Sequence, residues 1–489
     1  MAARQRPCPI SGKRIVVSIA RLGRYDRSAP SERPRVIESA RIKVLVDRPP
    51  VTPARYVLYW MQQSQRAGFN PALEFAIEEA NDLGLPVLVC FGLTAFPEAN
   101  ARHYGFMLGG LAEVRDRLAK RGVGFVIRKR PPHELARELA TDAALVVCDR
   151  GYLKIQRTWR AKLAEGLDRR LVQVEGDVVV PIERVSDKHE YAARTIRPRL
   201  HRVWDDFMEP LEPRPVKHRA DGLKVEGDID LDEVPGVLES LRIDHRVGTV
   251  KRFAAGEGAA RSALEDFIED SLHRYGTERG KPEARAASHM SPYLHFGQIS
   301  PVEIALAVRR HGLGDNRTSY LEELIVRREL SMNHCFYAPD YDSYAIVPEW
   351  ARKTLEAHAG DERPHLYTRE QFEAAETHDP YWNAAMREMR ATGYMHNHLR
   401  MYWGKKILNW SKSPQEAFET TLALNNRWFL DGRDANSFTN VGWIYGLHDR
   451  PWGPQPVFGT VRSMGANTFK KFDADAYVRD VQRMEAEEG

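Results

Sequence analysis

TGYMHNHLRMYWGKKILNW (residues 392–410), SKSP (411–414) and LNNRWFLDGRDANSFTNVGWIY (424–445) read as helix, break, and a second helix running into a polar turn. Trp403 and Trp410 stand seven residues apart, which on an α-helix is two turns, about 10 Å of rise and roughly 20° of rotation. Both indoles therefore fall on one stripe. Around them Arg400, Met401, Asn425, Asn426, Asp431, Asp434 and Asn436 put polar and soft groups inside an aromatic frame. A core made only for stability avoids that mixture, because each buried polar group needs its own partner. A large, flat, hydrogen-bonding ligand supplies such partners. Taken alone, two tryptophans at helical spacing serve packing more often than function, and Arg400 with Asp431 can form a purely structural ion pair.

Working outward, helical periodicity continues on both sides, over 257–273, 301–310, 318–336, 370–375 and 380–391, then 393–410 and 414–430. No strand alternation interrupts it, and residues 241–480 read as an all-helical domain. The N-terminal half is different. RYVLYWM (55–61), PVLVCFGL (86–93), VGFVIRK (123–129), ALVVCD (144–149) and LVQVEGD (171–177) are short apolar runs separated by helical stretches near 71–83, 102–120, 133–140 and 154–166. Strands apolar on both sides and alternating with helices predict a doubly wound parallel sheet, an α/β domain over 55–180. Its loops carry neither GxGxxG nor GxxxxGK[ST], so no dinucleotide fingerprint or phosphate loop is written there. Residues 1–54 read as an Arg- and Pro-rich arm with one short strand at RIVVSIA (14–20). Residues 181–240 read as a connecting segment, dense in charge, Pro and Gly over 210–235, and 481–489 as the C-terminal end.

With 489 residues, a net charge of +4 and a pI near 8.7, the chain is mildly basic, which permits a polyanionic partner without requiring one. Five of its ten tryptophans fall between Trp382 and Trp443, so the aromatic weight is concentrated in the helical half. Four scattered cysteines with no CxxC, and no HExxH, point away from a disulfide framework and from a bound metal. No apolar run reaches membrane-spanning length, and no signal-peptide pattern stands at the N-terminus. A monomer in the cytoplasm, or in the nucleus of a eukaryote, is the expectation.

SHMSPYLHFGQIS (288–300), EELIVRREL (322–330), MHNHLRMYWGKKILNW (395–410) and LDGRDANSFTNVGW (430–443), in this order behind an α/β domain and a linker, resemble the photolyase/cryptochrome family. With RYVLYWMQ at 55–62 the resemblance narrows to the class II cyclobutane pyrimidine dimer (CPD) photolyases. It implies FAD in the helical domain. Tyr275, Ser288 and Ser291 would hold the pyrophosphate, Arg328 would neutralise it, and Arg400 with Asp431 would form a buried pair beside the flavin ring. Asn425 stands where class II has an amide near flavin N5, with Asn426 and Asn436 as alternatives. Trp382, Trp403 and Trp410 match tryptophans that carry electrons from the surface to the flavin. The seven-residue interval supplies one step, while the place of Trp382 rests on the resemblance alone.

The same resemblance assigns Glu323, Arg279, Met401 and Trp443 to a cavity that admits a flipped dimer from damaged double-stranded DNA, with the Glu323 carboxyl donating a hydrogen bond to a pyrimidine carbonyl. Val326 and Arg327 stand near where many other photolyases carry a tryptophan, which leaves that wall of the cavity open. A deazaflavin-type antenna chromophore is implied in the α/β domain. The implied activity is light-dependent DNA repair as a deoxyribodipyrimidine photo-lyase. The alternative is a cryptochrome-like photoreceptor that binds FAD without repair.

Overall fold

A computed structural model describes residues 37–488. RIVVSIA and most of the N-terminal arm lie outside the described residues. The five expected strands form, as β2 (Tyr56–Trp60), β3 (Val87–Gly92), β4 (Gly124–Arg128), β5 (Ala143–Asp149) and β6 (Arg170–Val174), all parallel. A sixth, β1 (Ile42–Val46), comes from the stretch that reads as arm and pairs antiparallel with β6. Its half-exposed IKVLV pattern is that of an edge strand, which lacks the fully buried run of β2, β3 and β5. The order is β1-β6-β5-β2-β3-β4.

Alternation along β2 divides the core. Val57 and Tyr59 pack with helices Pro71–Leu83 and Ala101–Arg121, while Tyr56, Leu58 and Trp60 pack with helix Pro132–Ala140. Since β3 lies on one side of β2 and β5 on the other, the chain reverses direction in the sheet at β2. Such a switch point opens a crevice at the carboxyl ends of the strands. Here Asp149, at the end of β5, accepts from the backbone N–H groups of Gln62, Gln63 and Ser64 at 3.1, 3.1 and 2.9 Å and shapes the crevice wall.

The connecting segment does not float. Ala220 and Asp228 donate backbone hydrogen bonds to Gly122 and Ile127 beside β4, covering the other edge of the sheet. Helices fill the rest. Asp379 caps Pro380–Thr392 through the Tyr381 and Trp382 N–H groups, and Gly393 ends it in the left-handed conformation, φ 71°. Ser413 caps Pro414–Trp428, so SKSP is the break expected of it. One difference from the periodicity is local: 318–336 is not one α-helix but Gly314–Leu321, a π-helical turn at Glu322–Arg327, and Arg328–Tyr337. Turns of this kind commonly sit at functional sites, because the extra residue re-aims the side chains around it.

The halves are joined by buried polar contacts. Arg102 donates to the Met389 and Trp428 carbonyls at 3.1 and 2.7 Å, and Asn100 to the Arg427 carbonyl at 2.7 Å. Carbonyls in the last turns of two helices thus accept from the N-terminal end of helix Ala101–Arg121. No helix among the described residues is long and apolar enough to cross a membrane, and no group of three or more His, Cys, Asp or Glu among them is arranged to hold a metal ion.

Candidate functional site

Two cavities flank the junction of the halves. The larger, about 1940 Å³ and open to solvent, is built by the helical half and receives Tyr275, Ser288, Ser291, Arg328, Arg400, Asp431, Asn425 and Trp403, with Glu323, Arg279, Met401 and Trp443 also on its walls. Residues more than 160 positions apart in the chain meet there.

Arg400 and Asp431 form a two-pronged pair, Nη1–Oδ1 and Nη2–Oδ2 both 3.2 Å, and the guanidinium lies 3.9 Å from the centroid of Phe429. Burial pushes the Asp431 carboxyl up, but Arg400 and the Ser291 hydroxyl outweigh it, and the net shift is below the usual carboxylate range. Ser288 accepts from the Tyr320 hydroxyl at 3.0 Å. The helix that Ser291 opens spans only Ser291–His295, too short to add much of a dipole for an anion.

Arg328 lines the cavity and also has a partner within the protein. Its guanidinium is buried against Asp177, Nη2–Oδ1 2.8 Å, in the segment that follows β6, so its charge is already compensated. Asp177 lines the second cavity, and Asp434, cap of helix Ala435–Ile444, lines both. An Arg–Asp pair thus forms part of the wall between them.

The structure separates the three asparagines. Asn425 and Asn436 face the large cavity. Asn426 is spent on structure, donating to Glu98 at 2.6 Å and accepting from the Arg433 backbone at 3.0 Å. Glu323 lies on the π turn and meets Arg279 at 2.7 Å, rather than pairing along its own helix. Its neighbour Glu322 takes both Arg197 and Arg327, at 2.7 and 3.1 Å. The wall left open by Val326 and Arg327 also resolves: Val326 is buried in the core, and the Arg327 guanidinium sits 5.4 Å from the Trp443 ring centroid.

The three tryptophans stand in an order that the spacing alone does not show. Trp403 borders the cavity, and Trp382 stacks on it with centroids 6.5 Å apart and planes 13° apart. Trp410 meets Trp382 edge-on at 6.1 Å. Trp382, from the neighbouring helix, therefore stands between the two indoles that share a helix, and its Nε1–H donates to the Trp403 carbonyl at 3.0 Å, which fixes the stack.

Lys405 is a cavity residue that the sequence reading missed. It is fully buried, its ammonium bonds the Ile444 carbonyl, and burial pushes its pKa down to about 7. Its position one helical turn after Met401 is the signal that could have found it.

The second cavity, about 930 Å³, lies at the switch point of the sheet, walled by Gln62, Gln65, Phe91, Tyr104, Trp159 and His295 among others. Nothing in the strand-loop sequences announced it. Both side-chain polar atoms of Gln62, with Gln65 Oε1 and His295 Nδ1, are buried and find no partner among the described residues.

A mostly parallel α/β sheet with a crevice at its switch point, joined to a helical half with a cavity of its own beside stacked indoles, is the arrangement of this chain. The DNA photolyase family model matches residues 57–216. The chain is 44% identical to the deoxyribodipyrimidine photo-lyase of Methanothermobacter thermautotrophicus over 91% of this chain and 98% of that one, and 37% identical to the enzyme of that name from Potorous tridactylus over 87% and 81%. The crystal structure of an archaeal photolyase from Sulfolobus tokodaii with two FAD molecules superposes with a TM-score of 0.65 at 15% identity, covering 88% of this chain and 92% of that one. This chain belongs to the DNA photolyase family.

Proposed function

We propose that the protein is a class II deoxyribodipyrimidine photo-lyase that binds FAD in the large cavity and splits cyclobutane pyrimidine dimers in double-stranded DNA under light. The observation that carries this is the convergence of the Arg400–Asp431 pair, Asn425 and the Trp403 end of the indole relay on one cavity. The cavity's donor set suits the cofactor: Trp403 Nε1, His289 Nδ1 and Arg328 Nε are buried without partners among the described residues. Bound there, FAD would supply light-driven one-electron chemistry.

The chain's own residues position, exclude water and move charge. Arg400, Asp431 and Asn425 would hold the ring through one guanidinium, one carboxylate and one amide. Ser288, Ser291 and Tyr275 face the remaining length. Arg279, Glu323, Met401 and Trp443 form the wall for the lesion. A soft thioether and an indole suit an extruded dimer, whose poor stacking also makes it less costly to flip than intact bases. The second cavity takes a planar antenna chromophore of the deazaflavin type, whose edge groups the unpartnered Gln62 and Gln65 atoms would meet.

Two measurements test this reading. Purified protein is expected to be yellow or to become so with added FAD, and under light to restore thymine-dimer DNA. Protein that stays colourless with FAD sinks it, and coloured protein that never repairs makes it a receptor. Binding to undamaged DNA is expected to weaken steeply with salt, as phosphate contacts do, with dimer-containing DNA bound more tightly throughout.

Glu323→Ala is expected to lower repair per absorbed photon several-fold while FAD content is kept, and Glu323→Gln to lose less. The Arg279 pair is about one-third exposed, so folding stability changes by no more than about 1 kcal/mol. Wild-type quantum yield in Glu323→Ala would leave the carboxyl no part in the photochemistry.

A further inference from the structure

Glu322 and Arg327 stand at the two ends of the π-helical turn, and Arg327 Nε donates to Glu322 Oε1 at 3.1 Å. On an α-helix two residues five apart point about 140° away from each other and do not meet. The wider π turn brings them onto one side. Glu322 is held from a second direction as well: Arg197, on helix Ala193–Val203, donates through Nε and Nη2 to its Oε2 and Oε1 at 2.9 and 2.7 Å. Burial pushes the Glu322 carboxyl up, but the two arginines outweigh it and the net shift is downward. One carboxylate thus serves two guanidinium groups, and one positive charge is left over.

That surplus falls on Arg327. Arg197 commits two nitrogens to the carboxylate, whereas Arg327 commits Nε alone, and its two Nη groups have no hydrogen-bond partner among the described residues. The Arg327 side chain is 35% exposed, lies 5.4 Å from the Trp443 ring centroid, and stands outside the lining of the large cavity that Trp443 walls. A guanidinium fixed beside a cavity rather than inside it meets the backbone of a strand entering there, and its free fork matches phosphate oxygens.

We propose that Arg327 is a phosphate anchor for the lesion strand: its free end takes a phosphate of the flipped dinucleotide, with Glu322 and Arg197 as the positioning residues that hold it in place. This deepens the reading of Trp443 as a wall of the lesion seat and rests on it.

The neighbouring pair shows the contrast. Arg279 and Glu323 match one charge to one charge and leave no cation over. An arginine whose only task is to lie against the Trp443 indole needs neither the carboxylate on its Nε nor a second arginine behind that carboxylate. Held in this way, the Arg327 guanidinium has little side-chain freedom left to lose when an anion arrives, which strengthens the contact relative to that of a free surface arginine.

The test is binding of the full-length FAD-loaded protein, in the dark and across a salt series, to a fluorescent duplex with one thymine dimer and to the same duplex undamaged. Three further dimer duplexes carry a neutral methylphosphonate in place of the phosphate before the dimer, within it, or after it. Arg327→Gln is expected to lose about tenfold in affinity for dimer DNA and about one unit of salt slope. Undamaged DNA should bind as before, because the contact forms only with the dimer extruded, and this together with FAD content reports that the variant is folded. One of the three methylphosphonates is expected to cost the wild type about tenfold and to cost Arg327→Gln nothing further. Wild-type affinity in Arg327→Gln, or a loss independent of salt with every neutral linkage costing the variant as much as the wild type, overturns the anchor and leaves Arg327 a support for the Trp443 ring. No cost to the wild type from any of the three linkages overturns it whether or not the variant folds. Equal binding of dimer and undamaged DNA by the wild type overturns the lesion reading and the anchor together.

Discussion

Trp382→Phe is expected to abolish light-driven reduction of bound FAD while leaving repair by chemically pre-reduced protein near wild type. The reason is geometric. Trp382 is the ring between Trp403 at 6.5 Å and Trp410 at 6.1 Å, and a phenyl in its place is too hard to oxidise to pass the charge on. The variant should still fold. The smaller ring and the lost bond from Nε1 to the Trp403 carbonyl together cost about 1–3 kcal/mol, read as a lower denaturation midpoint. Trp403→Phe and Trp410→Phe should fail in the same way, but neither isolates the inter-helix step as Trp382 does. Photoreduction at the wild-type rate in Trp382→Phe would return all three indoles to a packing role.

Arg400→Ala carries the second large effect, loss of FAD from the purified protein together with a weaker fold. Removing one partner of a fully buried pair costs roughly 3–5 kcal/mol. Here the side chains are 22% and 11% exposed and open onto the cavity, so about 2 kcal/mol is the reasonable figure.

The pH dependence adds a sign that can be checked. In the wild type Asp431 sits below the usual carboxylate range, so its ionised form contributes stability that is present above the unfolded value near 4 and is lost as pH falls through the lower folded value. Without Arg400, burial dominates and the carboxyl rises above its unfolded value. Its contribution then holds in acid and is lost as pH rises through the raised value. The stability deficit of Arg400→Ala is therefore expected to be large at neutral pH and to shrink on acidification, measured by denaturant unfolding at several pH values. A deficit independent of pH would show that Asp431 does not depend on Arg400.

Much of this was legible in the chain because it depends on short-range pattern. Runs such as PVLVCFGL are apolar at every position, and only a strand covered on both faces demands that, so the parallel sheet was readable from 55 onward. SKSP and the Asp before PYWN carry their caps with them. The cavity residues from Tyr275 to Trp443 were placed by motif, and the structure gathers them on one wall system. β1 escaped because an edge strand needs only half an apolar pattern, and IKVLV among Arg and Pro does not announce one.

What tertiary structure alone decided are the partners. Helical periodicity says which face of residues 397–410 is buried, but not that Trp382 from the preceding helix enters between Trp403 and Trp410. That follows from how the two helices pack. Likewise Arg328 is an obvious cation for a phosphate until Asp177, 151 residues away, is found on it, and Glu323 is a helix-surface carboxylate until the π turn brings it to Arg279. The second cavity is decided the same way: Gln62 and Gln65 are ordinary loop residues in sequence, and the reversal of strand order at β2 encloses them. Sequence determines the chemistry each residue offers and the face it occupies. The fold determines which charge that chemistry meets, because neutralisation and stacking depend on distances between segments that the local pattern does not encode.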